Sequence, residues 1–186
     1  MNEIEMTLHA IAGTQDSDRS MLLLKEKNGE RILPIMMSSR RAMTLMMRSK
    51  FPIPMPLPAS VPDAALMVMS SFDVSISRIV LTHIHNGTFF CRIVAEREGE
   101  EKTIEMCPAT DGLILAVDAL RPIMIQEDLL EAQYMHKTGE NSFAININLL
   151  TRQMLEEALK HAVESENYEA ASHLRDELAK RSEKKE

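Results

Sequence analysis

Asn-Gly occurs twice in this chain, at Asn28-Gly29 and Asn86-Gly87, each time between two short β-compatible runs. Both residues tolerate the left-handed backbone that tight hairpins need, so each pair is a strong antiparallel-turn signal. The surroundings of the two turns read alike. Strands are expected at residues 4–12, 21–25 and 31–36, and again at 74–83, 88–95 and 102–106, with Glu98-Gly99-Glu100 as a further turn. Each set of three runs into a helix. Ser38 and Ser39 can cap a helix reaching about Lys50, and Thr110 can cap one that carries Asp111 in its first turn and ends near Leu120. A repeated supersecondary unit of this kind packs around one core. The fold class expected is therefore α+β: a duplicated strand-strand-strand-helix unit with mixed or antiparallel sheets.

The connections are less regular. Prolines at 52, 54, 56, 58 and 62 demand an extended segment over residues 51–62, with a second helix expected over 63–71. A short strand at 122–125 and a short helix at 128–133 close the main domain, taken as residues 1–136. Residues 137–148 read as either a linker or an added edge strand. In 149–182, Leu155, Ala158, Leu159 and Ala162 form one helical stripe and Tyr168, Ala171, Leu174 and Leu178 another, broken at Glu166-Asn167, before a charged tail at 183–186. Such an αα-hairpin is too small to bury its own apolar faces and should dock on its domain, a twin chain or another protein.

Composition narrows the chemistry. The net charge of −7 repels polyanions overall, so any nucleic-acid contact needs a local basic patch. Arg40, Arg41 and Arg48, with Lys50 beyond, supply one, and Arg41 and Arg48 lie two turns apart on one helix face. An ordinary solvated helix face is the competing explanation. The 15 methionines indicate a plastic core. No apolar run is long enough to span a membrane, the N-terminus lacks a signal-peptide pattern, and Cys91 and Cys107 show no paired-ligand or redox spacing. A reduced, cytoplasmic setting is expected. His83 and His85 share one side of a strand, but zinc needs at least a third protein ligand.

Two stretches carry family resemblance. Arg31-Ile32-Leu33-Pro34-Ile35, Asn86-Gly87-Thr88-Phe89-Phe90, Asp111-Gly112-Leu113-Ile114-Leu115-Ala116 and Pro122-Ile123 match the frame of the bifunctional nuclease domain family over residues 1–133. That resemblance implies hydrolysis of phosphodiester bonds in DNA and RNA. The family's polar motifs are altered here. Arg41 stands at an acidic position of the first helix, and Pro58-Ala59-Ser60-Val61-Pro62-Asp63 replaces Arg-Pro-x-Thr-His-Asp. Met106-Cys107-Pro108-Ala109-Thr110-Asp111 replaces Asp-x-Arg-x-Ser-Asp. The acids left for catalysis are Asp111 and Asp63, with Glu105 if the alignment slips by one residue; together the first two are candidates to hold Mg or Mn. Helix capping is the alternative role for both.

In the C-terminal hairpin, Leu155-Glu156-Glu157-Ala158, Glu166-Asn167-Tyr168-Glu169-Ala170-Ala171 and Leu174-Arg175-Asp176-Glu177-Leu178 resemble the UvrB/UvrC-type helical motif. This implies protein–protein association, often with another copy, through Tyr168, Leu174, Arg175 and Asp176. A homo-oligomer is expected, with no membrane partner. A non-catalytic binding or adaptor module acting through this hairpin is the alternative to a nuclease.

Overall fold

Ten residues of alternating character, Glu3–Ala12, form β1, and the computed structural model pairs them with β2 (Arg19–Glu26) and then β3 (Ile32–Ser38) in an antiparallel meander. The structure describes residues 2–13, 18–50, 61–137, 143–144 and 146–183. The second meander comprises β4 (Ser75–His85), β5 (Thr88–Arg97) and β6 (Glu100–Pro108). Between the two lies β7 (Ile123–Gln126), antiparallel to β1 and parallel to β4, giving a seven-stranded mixed sheet in the order β3-β2-β1-β7-β4-β5-β6. The duplicated unit is thus present, with each three-stranded copy flanking the short central strand.

Turn chemistry accounts for the second meander. Asn86 and Gly87 both have positive φ (49° and 77°), as do Glu98 and Gly99 (55° and 82°), so each forms a two-residue turn whose twist matches its strands. Asn28-Gly29 instead sits in a wider connection, where the Glu26 amide donates to the Arg31 carbonyl at 3.0 Å. That loop is fastened by two Arg31–Glu26 side-chain bonds of 3.0 Å.

One face of the sheet is apolar. Met6, Ile123, Ile79 and Ile93 stand side by side across β1, β7, β4 and β5, and all are buried. Helices α1 (Ser39–Lys50) and α3 (Ala109–Asp118) cover the first and second meanders and pack on each other, joined by α2 (Val61–Ser71). The opposite face carries charge: Arg92 donates to Glu3 at 2.6 Å and Arg78 to Glu101 at 2.6 Å, with Arg78 also 3.3 Å from Glu3. One packed face and one polar face is the usual arrangement of an antiparallel meander.

Two expectations change. Helix α3 begins two residues early, with Pro108 at its N-cap and no side-chain cap, so Thr110 lies inside the first turn rather than capping it. Pro62 belongs to the first turn of α2, where its missing N–H is not needed, and not to an extended segment. The remainder of that expected segment, 51–60, lies outside the described residues.

After α4 (Glu127–Gln133), β8 (His136–Lys137) pairs with β9 (Phe143–Ala144) in a ribbon of its own. A 3-10 turn at Ile147–Leu149 leads into α5 (Arg152–Glu164) and α6 (Tyr168–Glu183), the expected αα-hairpin. Thr151 caps α5 and Asn167 caps α6. The hairpin is held at two points, one to the segment leading into α5 and one to β2 of the main domain. Arg181, 8% exposed, donates to the carbonyls of Leu150 and Ile147, and Arg19 of β2 donates to Thr151 and Gln153. Among the described residues no helix is long and apolar enough to cross a membrane.

Candidate functional site

Two of the three arginines of α1 and the two aspartates of α3 repeat at the same interval of seven residues: Arg41 and Arg48, Asp111 and Asp118. Seven residues are two helical turns, roughly 10 Å along the axis, so each pair lines one face of its helix. Helices α1 and α3 lie side by side with these faces together. Arg41 Nη1 donates to Thr110 Oγ1 at 2.8 Å and stands 3.4 Å from Asp111 Oδ1. Two turns further on, Arg48 forms a two-pronged bond to Asp63 of α2 (2.9 and 3.1 Å) and also binds Asp118.

The two ends of this row differ in exposure. The Arg41 and Asp111 side chains are 50% and 37% exposed, whereas Arg48, Asp63 and Asp118 are 16%, 28% and 15% exposed. The inner group is a three-helix bolt: one guanidinium neutralises two carboxylates from α2 and α3, a geometry suited to Arg rather than Lys. The Asp118 carboxyl is held above its ordinary pKa, first by burial, with the neighbouring Asp63 charge adding to the shift and Arg48 opposing it. The outer group is accessible. It combines an acid in the first turn of α3 with a guanidinium and a hydroxyl, and Arg40 is exposed beside it.

Asp63 and Asp111 therefore each bond a different arginine and do not meet each other as the two halves of one cation site. Among the described residues no three His, Cys, Asp or Glu side chains gather as metal ligands. The pair that does converge, Asp63 with Asp118, already holds a cation between its members in Arg48. As the described residues stand, this donor set does not fit a resident Mg or Mn ion. Asp118 lies outside the matched motifs; its signal in the sequence is the seven-residue interval from Asp111, which equals that from Arg41 to Arg48.

The other candidates are dispersed. Glu105 is exposed on β6. His83 stacks on Phe90, with centroids 5.0 Å apart and planes at 5°, and its Nδ1 lies 3.0 Å from Thr82 Oγ1; His85 contacts the Asn86 amide at 3.1 Å. On the hairpin, Tyr168 is 68% exposed, Leu174 is half-buried, and Arg175 and Asp176 are exposed and 3.7 Å apart.

Cys91 and Cys107, which show no spacing signal in the sequence, stand directly opposite each other on β5 and β6. Sequence distance hides this pairing. Between Ile93↔Ile104 and Cys91↔Cys107, β6 uses one residue more than β5, and Met106 takes a φ of 64° within that bulge. The extra residue reverses the alternation and turns Cys107 inward beside Cys91.

Residues 22–138 of the chain match the family model of the bifunctional nuclease domain. No curated protein matches the chain.

Proposed function

Because the chain belongs to the bifunctional nuclease domain family, as a match over more than half its length shows, we propose that it hydrolyses phosphodiester bonds of DNA or RNA at the outer end of the α1–α3 row. The observation that carries this reading is convergence. Positions 41 and 111, seventy residues apart, are brought into contact at an accessible helix start. In this reading Arg41 and Arg40 contact the phosphate, Arg41 exchanging its bond to Asp111 for one to a phosphate oxygen. The Asp111 carboxylate, released, accepts the proton of the attacking water or hydroxyl. Arg41 then stands where negative charge develops on the phosphorus oxygens, and the free amides at the α3 N-terminus add to that field. Arg48, Asp63 and Asp118 hold the three helices in place and touch no substrate, so Asp63 is a positioning residue.

Plasmid DNA and single-stranded RNA incubated with the protein, with Mg or Mn and with a chelator, test this directly. Cleavage by the wild-type protein that is lost in an Asp111→Ala variant with an almost unchanged thermal midpoint supports the proposal. Cleavage that persists in Asp111→Ala overturns it.

A second reading rests on the hairpin. Tyr168 presents an aromatic ring to solvent at the start of α6, two turns before the exposed Arg175 and Asp176 of the same helix, in keeping with a UvrB/UvrC-type association motif. On this reading the domain is a non-catalytic adaptor joined to a second copy or another protein. Inert wild-type protein under every metal condition, together with self-association abolished by Tyr168→Asp/Leu174→Asp, would establish it in place of the nuclease.

A further inference from the structure

The bulge in β6 sets two thiols face to face beneath the start of α3. Residues directly opposite on antiparallel strands have Cα atoms about 4.5–5.5 Å apart, inside the roughly 4.4–6.8 Å range that a disulfide spans. Their environments are unequal. Cys91 is fully buried and lies against Gly112 of α3, where a methyl group added to the glycine would fall 2.4 Å from the Cys91 sulfur; Cys107 is partly exposed. The Cys107 thiol is lowered from its ordinary pKa, first by the neighbouring Cys91 thiol and less by the Gly112 amide, against partial burial and the Asp111 charge. The neighbouring Cys107, and after it burial, push the Cys91 thiol the other way.

We propose that Cys107 and Cys91 form a reversible dithiol–disulfide pair, Cys107 being the attacking sulfur, Cys91 the resolving sulfur and a hydroperoxide the oxidant. The Cys107 thiolate attacks one peroxide oxygen, the O–O bond breaks, and the departing oxygen leaves as hydroxide and is protonated, leaving Cys107 as a sulfenic acid. The Cys91 sulfur then attacks the Cys107 sulfur and the S–O bond breaks. The hydroxide released takes up the Cys91 proton as water. Two electrons pass from the sulfur pair to the peroxide, and β5 becomes covalently joined to β6 at the entrance to α3. The inference is independent of whether the α1–α3 row is catalytic.

The test uses the reduced full-length chain, treated with a small excess of hydrogen peroxide and then alkylated. The expected product is a monomer two hydrogens lighter, with no alkylatable thiol, a Cys91–Cys107 linked peptide, and full reversal by dithiothreitol. Cys91→Ser should stop at a sulfenic acid that dimedone traps on Cys107, and Cys107→Ser should leave Cys91 a thiol. Wild-type protein that keeps both thiols, forms only disulfide-linked dimers, or carries Cys107 to the sulfinic acid while Cys91 stays reduced would overturn the proposal.

Discussion

Arg48 is the residue on which the helical layer depends most. Its guanidinium bonds both Asp63 and Asp118, and all three side chains are largely withdrawn from water. Arg48→Met would leave two carboxylates beside each other without the counter-charge they share, a change expected to cost about 2–4 kcal/mol, read as a lower midpoint in urea unfolding. Asp118 adds a pH signature. Its folded pKa is raised by burial, so its contribution to stability is complete below the unfolded value, about 3.9, and is lost as pH rises through the folded value. The stability of the wild-type protein relative to Asp118→Asn should accordingly fall as pH rises from the unfolded value through the raised folded one. Glu26 works in the opposite sense. Its pKa is lowered by the Arg31 hydrogen bonds, so its contribution is present above the unfolded value and disappears as pH falls through the folded one. The arginines and both sequence-predicted aspartates are legible as residue types. Their pairing is not, because it depends on how α1, α2 and α3 lie together, and no local pattern states that.

At the scale of elements, α3 approaches β5 closely at Gly112. Gly112 has no side chain where a Cβ would meet Cys91 Sγ at 2.4 Å and Ile79 Cγ2 at 3.2 Å. Glycine within a helix ordinarily costs up to about 1 kcal/mol against alanine, yet here Gly112→Ala is expected to destabilise by about 1–3 kcal/mol through overpacking. Adding Cys91→Ala should recover most of that loss in thermal unfolding. The C-terminal hairpin is held by a different device, since buried Arg181 reaches the Leu150 and Ile147 carbonyls. Arg181→Met should raise amide hydrogen exchange across α5 and α6 while leaving the sheet protected. Strand and helix positions are largely readable from turn residues and alternation. The exceptions share a cause. A bulge at Met106 breaks the alternation of β6, and Pro62 and Thr110 take first-turn positions that neighbouring elements decide.

For the whole molecule, a chain of net charge −7 must meet a polyanion through a small basic locus. Only Arg40 and Arg41 stand exposed at the outer end of the helical row, among the described residues, so nucleic-acid binding should be weak, and its logarithm should fall with the logarithm of salt concentration at a slope of only about −2. The duplicated architecture explains why that locus lies where it does. Placing one helix over each meander sets α1 and α3 side by side and converts two seven-residue intervals into an accessible pair and a buried bolt. In the proposed function these two ends do different work, and parallel measurements on Asp111→Asn and Asp63→Asn separate them. Initial rates on a fluorescent RNA or DNA substrate are compared with thermal unfolding midpoints of the same samples. Asp111→Asn is expected to abolish cleavage with an almost unchanged midpoint, while Asp63→Asn lowers the midpoint and, below it, retains most of the rate. Equal loss of activity from both, or cleavage unaffected by Asp111→Asn, would contradict that division of work.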